Sequence, residues 1–355
     1  MIKYIGSKRL LLPPIVAGVT ALGARTALDL FSGTSRVGHA LKRAGVHVTA
    51  NDHLSYAATL ARCYVQADAA RWQGPAQRLL GELSAIPPRP GYFTETFCER
   101  ARFFQPHNGA RVDAIRDGIA RLGLEPELEA IALTSLMEAA DRVDSTTGVQ
   151  MAFLKKWAAR AYNDLELRMP ALLPGPGHAL QLEAVEAASE VEADVAYLDP
   201  PYNQHSYMGN YHIWETLVRW DAPDAYGVAQ KRAQCREYRS DFNRKRRIRD
   251  ALADVIARLK CRHLLVSFNN EGHVTRPEME ALLAERGHLG VVAVDFKRYV
   301  GAQIGIHDPS GRRVGRVSHL RNTEHLFVVS PDRAAVERAC RAIEVALPAA
   351  PAAAS

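Results

Sequence analysis

The chain has little cysteine, and the spacing of that cysteine excludes two classes of small stabilised fold. Five cysteines occur among 355 residues, and no pair has the CxxC spacing of a zinc ribbon. Their odd number also excludes a framework in which every cysteine is paired in a disulfide. The thiols are therefore expected to stay reduced, which favours a cytoplasmic protein.

Long apolar segments and phosphate-binding glycine loops are missing as well. No uncharged apolar stretch reaches the roughly 18 residues of a membrane-spanning helix, so no association with a membrane is expected. Neither GxGxxG nor GxxxxGK[ST] occurs in the sequence. Their absence excludes a P-loop nucleotide hydrolase and gives no support to a dinucleotide-dependent enzyme.

Positive charge is present in small excess, and it is concentrated in two segments. The net charge is +6; residues 231–262 hold twelve Lys or Arg and four acids, and residues 297–321 hold six and one. A local surplus of this kind predicts contact with a polyanion, although a solvated helix face is the alternative. The residues expected to contact phosphates are Arg244, Lys245, Arg246, Arg247 and Arg249, with Arg312 and Arg313 in a second loop or hairpin.

Short apolar runs that alternate with helical periodicity predict an α/β protein. Residues 26–31 and 46–50 are typical of buried strands, and apolar side chains recur at helical spacing between them. A strand, a helix and a strand in this order predict parallel pairing in an open, doubly wound sheet. Further strands are expected at 195–198, 263–268, 291–296 and 325–329, and a last helix at 333–347.

Two breaks rich in proline and glycine, near 87–91 and at 174–177, delimit a segment with few strand-like runs. Helices are expected there around 119–122 and the residues before it, at 128–140 and at 151–167. The predicted domains are an α/β domain at 1–86 and 179–347, an inserted and mainly helical domain at 91–178, and a disordered tail at 348–355.

The strongest local signal is Asp199-Pro200-Pro201-Tyr202, directly after the predicted strand at 195–198. Two successive prolines fix φ and donate no hydrogen bonds, so the Pro200 carbonyl is free to accept one from elsewhere. A carboxylate, a carbonyl and an aromatic ring are thereby held together, which suits a planar ligand with an amino group. A strand-terminating turn with a surface aspartate is the alternative.

A glycine-containing turn, Asp29-Leu30-Phe31-Ser32-Gly33-Thr34, follows the first predicted strand. Ligands of open α/β sheets bind at the carboxyl ends of strands, where a glycine permits close approach to the backbone. Asp52 follows the second strand, at a place where an acid accepts hydrogen bonds from ribose hydroxyls. Taken singly, each of these features is more often structural.

In content and order, these motifs resemble the Dam-like N6-adenine-specific DNA methyltransferases, which have the alpha-type motif order. The opening residues Lys3-Tyr4-Ile5-Gly6-Ser7-Lys8 are similar to the first motif of that family. The resemblance implies a Rossmann-like, class I S-adenosylmethionine-dependent methyltransferase sheet. It also implies that the helical segment at 91–178 is a target-recognition domain.

The resemblance further assigns roles to single residues. Tyr202 would stack on an adenine flipped out of the duplex, while the Asp199 side chain and the Pro200 carbonyl accept the two N6 protons. No covalent intermediate and no metal are implied. The implied catalytic residues are Asp199, Pro200, Pro201 and Tyr202, and the implied S-adenosylmethionine-binding residues are Tyr4, Lys8, Asp29, Phe31, Ser32, Gly33, Thr34, Asp52, Glu183 and Asp199.

Some positions depart from the family pattern. Ser35 stands where the family usually has a second glycine, Tyr4 where tryptophan is usual, and Ser7 where glycine is common. None of these changes removes a charge that the chemistry needs. Glu183 occupies roughly the place of a family aspartate that contacts the cofactor adenine, and a solvated glutamate is the alternative.

The implied function is site-specific methylation of adenine N6 in double-stranded DNA, with a cognate restriction endonuclease among the expected partners. Two alternatives stay open: the same chemistry on adenine N6 of RNA or cytosine N4 of DNA, and a non-catalytic nucleic-acid-binding protein with a decayed methyltransferase fold. Cytosine N4 activity more often accompanies serine in place of Asp199. The intact motifs argue against decay.

Two further stretches are candidates for the site. Residues 203–212 are polar and aromatic and could close over the flipped base, or could begin a capped helix that buries Trp214 and Leu217. Residues 267–270 end a predicted strand and could border the pocket. In the insert, the side chains able to read bases are Arg102, His107, Asn108, Arg111, Thr146, Thr147, Gln150, Lys155 and Lys156.

Overall fold

The computed structural model describes residues 1–297, 306–307, 313–315 and 321–347; Arg312 and the predicted tail at 348–355 lie outside the described residues. The strands of the described residues are β1 (Thr26–Asp29), β2 (His47–Asn51), β3 (His178–Leu180), β4 (Glu192–Leu198), β5 (Ala225–Tyr226), β6 (Lys231–Arg232), β7 (Lys260–Asn269), β8 (His288–Lys297), β9 (Ile306–His307), β10 (Arg313–Gly315) and β11 (Arg321–Ser330).

Seven of these strands form one sheet in the order β3-β2-β1-β4-β7-β11-β8. Neighbours from β3 to β7 pair in parallel, whereas β11 is antiparallel to both β7 and β8. All six strands expected from the apolar runs are present, and the predicted doubly wound α/β sheet is confirmed. The short strand β3 was not predicted, because its three residues form no apolar run.

The helices of the described residues are α1 (Leu12–Ala21), α2 (Arg36–Arg43), α3 (Ser55–Ala61), α4 (Ala69–Ala85), α5 (Tyr92–Thr94), α6 (Pro106–Arg121), α7 (Pro126–Arg142), α8 (Ala184–Glu190), α9 (Tyr207–Asn210), α10 (His212–Arg219), α11 (Gln234–Glu237), α12 (Ile248–Arg258), α13 (Arg276–Ala284) and α14 (Arg333–Val345). None of them is long and apolar enough to cross a membrane.

Helices cover both faces of the sheet, which explains why its strands are nearly continuous apolar runs. On one face α1, α2 and α14 pack against inward side chains such as Val195 and Leu326. On the other face α8, α12 and α13 pack against the alternate side chains, among them Ala196 and Phe327.

Helices α5, α6 and α7 lie within the predicted insert, but they share one hydrophobic core with the α/β part. Phe93 and Phe97 pack in the same cluster as Tyr56 of α3 and Trp214 of α10. The core is thus continuous between the two parts of the chain. The assignment of residues 91–178 as a domain for target recognition stays a prediction.

The expected helix at 151–167 is wrong. The structure has only a short 3₁₀ turn there, Ala159–Tyr162, in an otherwise irregular segment. The buried side chain of Asn108 donates to the carbonyls of Ala161 and Asn163 and accepts from the Leu165 amide. Because a side chain satisfies these backbone groups, helical hydrogen bonds are not needed to bury them.

One buried carboxylate ties the Pro-rich break to the helical region. Asp113 of α6 is 2% exposed. It accepts from the amides of Gly91, Phe93 and Thr94 and from the Thr94 hydroxyl, at 2.6–2.9 Å. The start of α5 therefore depends on this one side chain.

We predict that Asp113→Ala lowers the free energy of unfolding by about 2–4 kcal/mol, because it leaves buried amide groups without an acceptor. Asp164→Ala, at a side chain that is 90% exposed, is the control and should change stability by less than about 0.5 kcal/mol. Urea unfolding followed by circular dichroism measures both values. Equal stability of the two variants would contradict the prediction.

Candidate active site

The two strongest sequence motifs meet because β1 and β4 are neighbours at the point where the strand order reverses. The chain leaves β1 towards β2 and β3 on one side, and β4 begins the other side of the sheet. Asp29 lies opposite Tyr197 in the parallel register, and the Leu30 amide donates to the Tyr197 carbonyl at 3.1 Å. The turn after Asp29 and the motif at Asp199 thus leave the sheet side by side.

An open cleft of about 650 Å³ lies between these two turns. Its lining includes nine of the ten predicted cofactor residues and two of the four predicted catalytic ones, namely Tyr4, Lys8, Asp29, Phe31, Ser32, Gly33, Thr34, Asp52, Asp199 and Pro201. The tenth, Glu183, lines a smaller adjoining cleft of about 310 Å³ that shares Phe31, Asp52 and Pro201 with the first. Pro200 and Tyr202 do not line either cleft.

The turn after β1 needs two residues in the left-handed region. Gly33 has φ +50°, and a Cβ there would lie 3.3 Å from the Tyr4 ring. Ser35, where a glycine is usual in the resembling family, has φ 56° and is fully buried. The backbone conformation therefore explains the usual glycine, and this chain adopts it with serine at some cost in strain.

Two side chains at the end of β2 hold this edge of the sheet together. Asp52 accepts from the Gly33 amide and the Leu54 amide, each at 3.0 Å. The buried Asn51 side chain donates to the carbonyls of Leu30 and Leu182 and accepts from the Leu182 amide. Asn51 thereby links β1 to the segment that carries Glu183, a role that sequence reasoning missed.

Several buried polar atoms of the cleft have no hydrogen-bond partner in the described part of the chain. They are Asp29 Oδ1, Ser32 Oγ and Tyr197 Oη. The other oxygen of Asp29 accepts from the Gly38 amide at 2.9 Å. Burial raises the pKa of Asp29 to about 7. An unsatisfied buried carboxylate facing a cleft favours a cationic ligand.

A buried ion cluster borders the cleft through Lys8 and Asp199. Lys8 Nζ lies 2.9 Å from Asp199 Oδ1 and 2.9 Å from Glu324 Oε1. Burial opposes the charge of Lys8, but the two carboxylates together hold its pKa well above the usual value. Burial raises the pKa of Asp199 to about 6; Lys8 lowers it and Glu324 raises it.

Glu324 is the site residue that sequence reasoning missed. It lies on β11 and is 2% exposed, and it accepts from the Ser267 hydroxyl and from Asn269 Nδ2. A signal was present, because Glu324 alternates in phase with the buried Leu326 and would have to face inward. Residues 267–270 line neither cleft; Ser267 and Asn269 reach the site only through Glu324.

Stacked tyrosines form one wall of the cleft. The Tyr4 ring stacks on Tyr207 and Tyr211, with centroids 5.2 and 4.5 Å away. Tyr202, by contrast, meets Phe268 edge to face, with its ring turned toward the core behind β7. Tyr4 is therefore fixed by aromatic packing that a tryptophan at the same place would also allow.

The interpretation of residues 203–212 as the start of a capped helix is confirmed, and closure over a flipped base stays a prediction. Tyr207 of α9 lines the cleft, and the Ser206 side chain caps α9 by accepting from the Gly209 amide. Trp214 and Leu217 of α10 are at most 1% exposed and lie in the core. The stretch is a capped pair of short helices with one side chain in the site.

The basic run Arg244, Lys245, Arg246 and Arg247, with Arg249, is exposed over its whole length. It begins beside the motif at Asp199, since Asn243 Nδ2 donates to the carbonyls of Asn203 and His205 at 2.7 and 3.1 Å. A surface rich in positive charge thus adjoins the cleft.

Other basic residues of the first segment are structural. Arg232 is 1% exposed and pairs with Asp221 at 2.6 Å. In the second basic segment, β9 and β10 form an antiparallel ribbon, as expected for a hairpin. Arg313 begins β10, and Arg312 lies outside the described residues. A phosphate contact at either arginine stays a prediction.

Three of the candidate base readers are interior residues. Asn108, Thr146 and Gln150 are 0–3% exposed. Gln150 Oε1 accepts from the Ile213 amide, and Thr146 Oγ1 donates to Asp144 Oδ2. These side chains hold the irregular segment in place and do not face solvent.

The cleft therefore combines a site for a cation with a positioned carboxylate. Asp29 and Ser32 can bind a charged, polar ligand, and Asp199 is held by Lys8 where it can accept a proton. Within the described residues, no group of three His, Cys, Asp or Glu side chains is placed to hold a metal ion.

Comparison with known proteins gives concordant matches. Modification methylase StsI of Streptococcus sanguinis is 30% identical over 321 residues, covering 84% of this chain and 48% of that protein. Type II methyltransferase M.FokI of Planomicrobium okeanokoites is 31% identical over 80% of this chain and 47% of its own length. Type II methyltransferase M.NlaIII of Neisseria lactamica is 29% identical over 83% of this chain and 92% of its own.

The chain thus spans about half the length of two of these relatives and nearly all of the third. The family model described as D12 class N6 adenine-specific DNA methyltransferase matches residues 4–280. That range contains both turns that border the cleft, and Lys8 with them. The chain belongs to the D12 class N6 adenine-specific DNA methyltransferases.

Proposed function

We propose that this chain transfers the methyl group of S-adenosylmethionine to the N6 amine of a flipped-out adenine at a specific site in double-stranded DNA. The observation that carries the proposal is the contact between Lys8 and Asp199 at the carboxyl end of β4. It holds the carboxylate of the Asp199-Pro200-Pro201-Tyr202 motif at the rim of a cleft with unsatisfied polar atoms.

The residues around the cleft fit S-adenosylmethionine, which when bound supplies an electrophilic methyl group. Asp29 Oδ1 is buried and unpartnered, as an acceptor for an ammonium group should be. Asp52 lies at the end of β2, where it suits ribose hydroxyls. The adjoining cleft is lined by Phe31 and Glu183, an aromatic ring and a carboxylate that suit a planar base with an amino group.

The chain's own residues provide the remaining chemistry on the adenine. Asp199 and the Pro200 carbonyl accept the two N6 protons, which directs the nitrogen lone pair toward the methyl group. Tyr202 stacks on the base once it has left the duplex, because a base inside the stack cannot present its amine to the cleft. Flipping, and the roles of Pro200 and Tyr202, are parts of this proposal.

The DNA backbone is assigned to the exposed basic run at 244–249. The run adjoins the motif loop through Asn243, so phosphates bound there lie close to the cleft. Its arginines supply charge without reading bases. The named relatives are modification methylases or type II methyltransferases. We accordingly assign this chain to the modification arm of a restriction-modification system in the cytoplasm, with a cognate endonuclease as its partner in that system.

Asp199→Ala should lower methyl transfer to DNA by at least about 100-fold, because it removes an acceptor for the N6 protons. Incorporation of labelled methyl groups from S-adenosylmethionine into parallel DNA and RNA pools measures the effect and the substrate class. Asp254→Ala on the outer face of α12 is the control and should keep full activity. Label in RNA alone, or full activity of Asp199→Ala, would refute the proposed function.

Cofactor affinity should depend on pH through Asp29. Its pKa is about 7, so the carboxyl is largely protonated at about pH 6 and ionised at about pH 8. Only the ionised form attracts a cation, so the dissociation constant for S-adenosylmethionine should fall up to about tenfold over that range.

Asp29→Asn should bind more weakly and lose most of this dependence. Calorimetric titration at several pH values, with Asp164→Asn as the control, provides the comparison. An unchanged pH dependence in Asp29→Asn would show that another group is responsible.

Charge reversal at Arg244, Arg246 and Arg247 should weaken DNA binding at low salt and make its salt dependence shallower by about one unit of slope per lost phosphate contact. The combined change Arg333→Glu, Arg338→Glu and Arg341→Glu on α14 reverses the same number of charges and is the matched control, because that helix covers the opposite face of the sheet. Fluorescence anisotropy against salt concentration gives both slopes. Equal slopes for the two variants would dismiss the basic run as the phosphate site.

A further inference from the structure

The buried carboxylate of Glu324 contacts the same ammonium group as Asp199. Lys8 Nζ is 2.9 Å from Glu324 Oε1 and 2.9 Å from Asp199 Oδ1. Lys8 and Glu324 are 7% and 2% exposed, so solvent screens this arrangement little. Glu324 also lies beyond residues 4–280, the part that matches the family.

The orientation of Glu324 is fixed by the strand beside it. Ser267 donates its hydroxyl to Glu324 Oε1, and Asn269 Nδ2 lies 3.4 Å from Oε2. Glu324 and Asn269 face each other in the register of β11 and β7. The carboxylate is therefore held at the ammonium group by two side chains of β7.

One ammonium group cannot fully neutralise two carboxylates. When all three groups are ionised, the cluster carries one net negative charge in a buried site. Lys8 is shared, so it stabilises the anion of Asp199 less than it would in a simple pair. The interaction of the Lys8 ammonium group with Glu324 thus controls how strongly Asp199 attracts a proton.

We propose that Glu324 is a positioning residue of the methyl-transfer site: by sharing the Lys8 ammonium, it fixes the direction of the Asp199 carboxylate and keeps that carboxylate a competent proton acceptor. This inference rests on the proposed function. Lys8 alone would hold Asp199 in place but would weaken it as a base, and Glu324 offsets that weakening.

The step concerned is the loss of a proton from adenine N6. The N–H bond breaks and its electron pair stays on N6, while an O–H bond forms on Asp199, which becomes a neutral acid. A carboxylate paired only with an ammonium group accepts that proton less readily. Glu324 touches neither the base nor the methyl group in this scheme.

Other ionisable groups also face the cluster. Burial is the largest cause of the raised pKa of Asp199, and Glu324 adds to it while Lys8 opposes it. Among the described residues, further groups around Lys8 and Asp199 belong to β1, β4, the motif loop and α9: Asp29, Tyr197, Tyr202 and Tyr207. Glu271, in the turn after β7, acts on Tyr202. Substitutions at Glu324 and Glu280 change none of these groups.

The substitution Glu324→Gln removes the charge and keeps an acceptor for Lys8. In the full-length protein, the acid limb of kcat against pH should move down by about one pH unit. At about pH 8, kcat should fall by about three- to tenfold with KM for DNA unchanged. A merely structural role would lower both stability and activity without moving the acid limb.

Glu324→Asp keeps the charge and retracts it by one methylene group, so its acid limb should move in the same direction by less. If Glu324→Gln does not fold, the pH profile of Glu324→Asp is used in its place. Glu280→Gln is the control. Glu280 pairs with Arg276 on α13, and its charge acts on His325, the residue that follows Glu324 on β11. Its profile should match that of the unchanged protein.

A second readout is independent of turnover. Aspartate labelled with carbon-13 at the carboxyl, with Asp199→Asn to assign the signal, gives the titration midpoint of Asp199 directly. The titration midpoint of Asp199 should be lower in Glu324→Gln than in the unchanged protein, and it should be the same in Glu280→Gln.

A midpoint and an acid limb that stay fixed or rise in Glu324→Gln would overturn the inference. If the unchanged protein methylates no DNA, the proposed function fails. The carbon-13 titration then still decides whether Glu324 controls Asp199.

Discussion

The site depends on one buried cation, the Lys8 ammonium group. It belongs to the N-terminal segment, yet its partners are Asp199, directly after β4, and Glu324 on β11. Burying one charge is expensive unless partners surround it, and here two carboxylates do so. The first residues of the chain are therefore bound to the middle of the sheet, and Tyr4 is carried with them into the stack with Tyr207 and Tyr211.

The sheet topology supplies the second constraint. The strand order reverses between β1 and β4, which leaves an opening at the carboxyl ends of these parallel strands. Both motif turns lie in this opening. Asn51 and Asp52 then hold the turn at Gly33 against β2 and against the segment that leads to Glu183. Asp29 Oδ1 is buried in this opening without a hydrogen-bond partner among the described residues.

The helical region and the α/β part share one hydrophobic core, since Phe93 and Tyr56 lie in the same cluster. The irregular stretch after α7 is held by interior hydrogen bonds from Asn108 and Gln150. These interior polar residues therefore serve the fold.

The sequence by itself determined the parallel pairing of the first βαβ unit and both motif turns, and nine of the ten cofactor residues that it predicted line the cleft. Apolar runs between turns have a local physical cause, and so do the φ restrictions of Pro200 and Pro201. The sequence did not predict the irregular segment at 151–167, because its helical periodicity was overridden by the buried Asn108. Local propensity is weaker than satisfied tertiary hydrogen bonds.

Only the tertiary structure decided that Glu324 enters the site. It is 125 residues from Asp199 in the sequence, and antiparallel pairing of β11 with β7 brings it to Lys8. Likewise, only the structure shows that the basic side chains at 244–249 are exposed, whereas Arg232 in the same charged segment is buried. Charge and motif content are properties of the sequence, but burial and the sharing of one ammonium group arise only when distant strands pair.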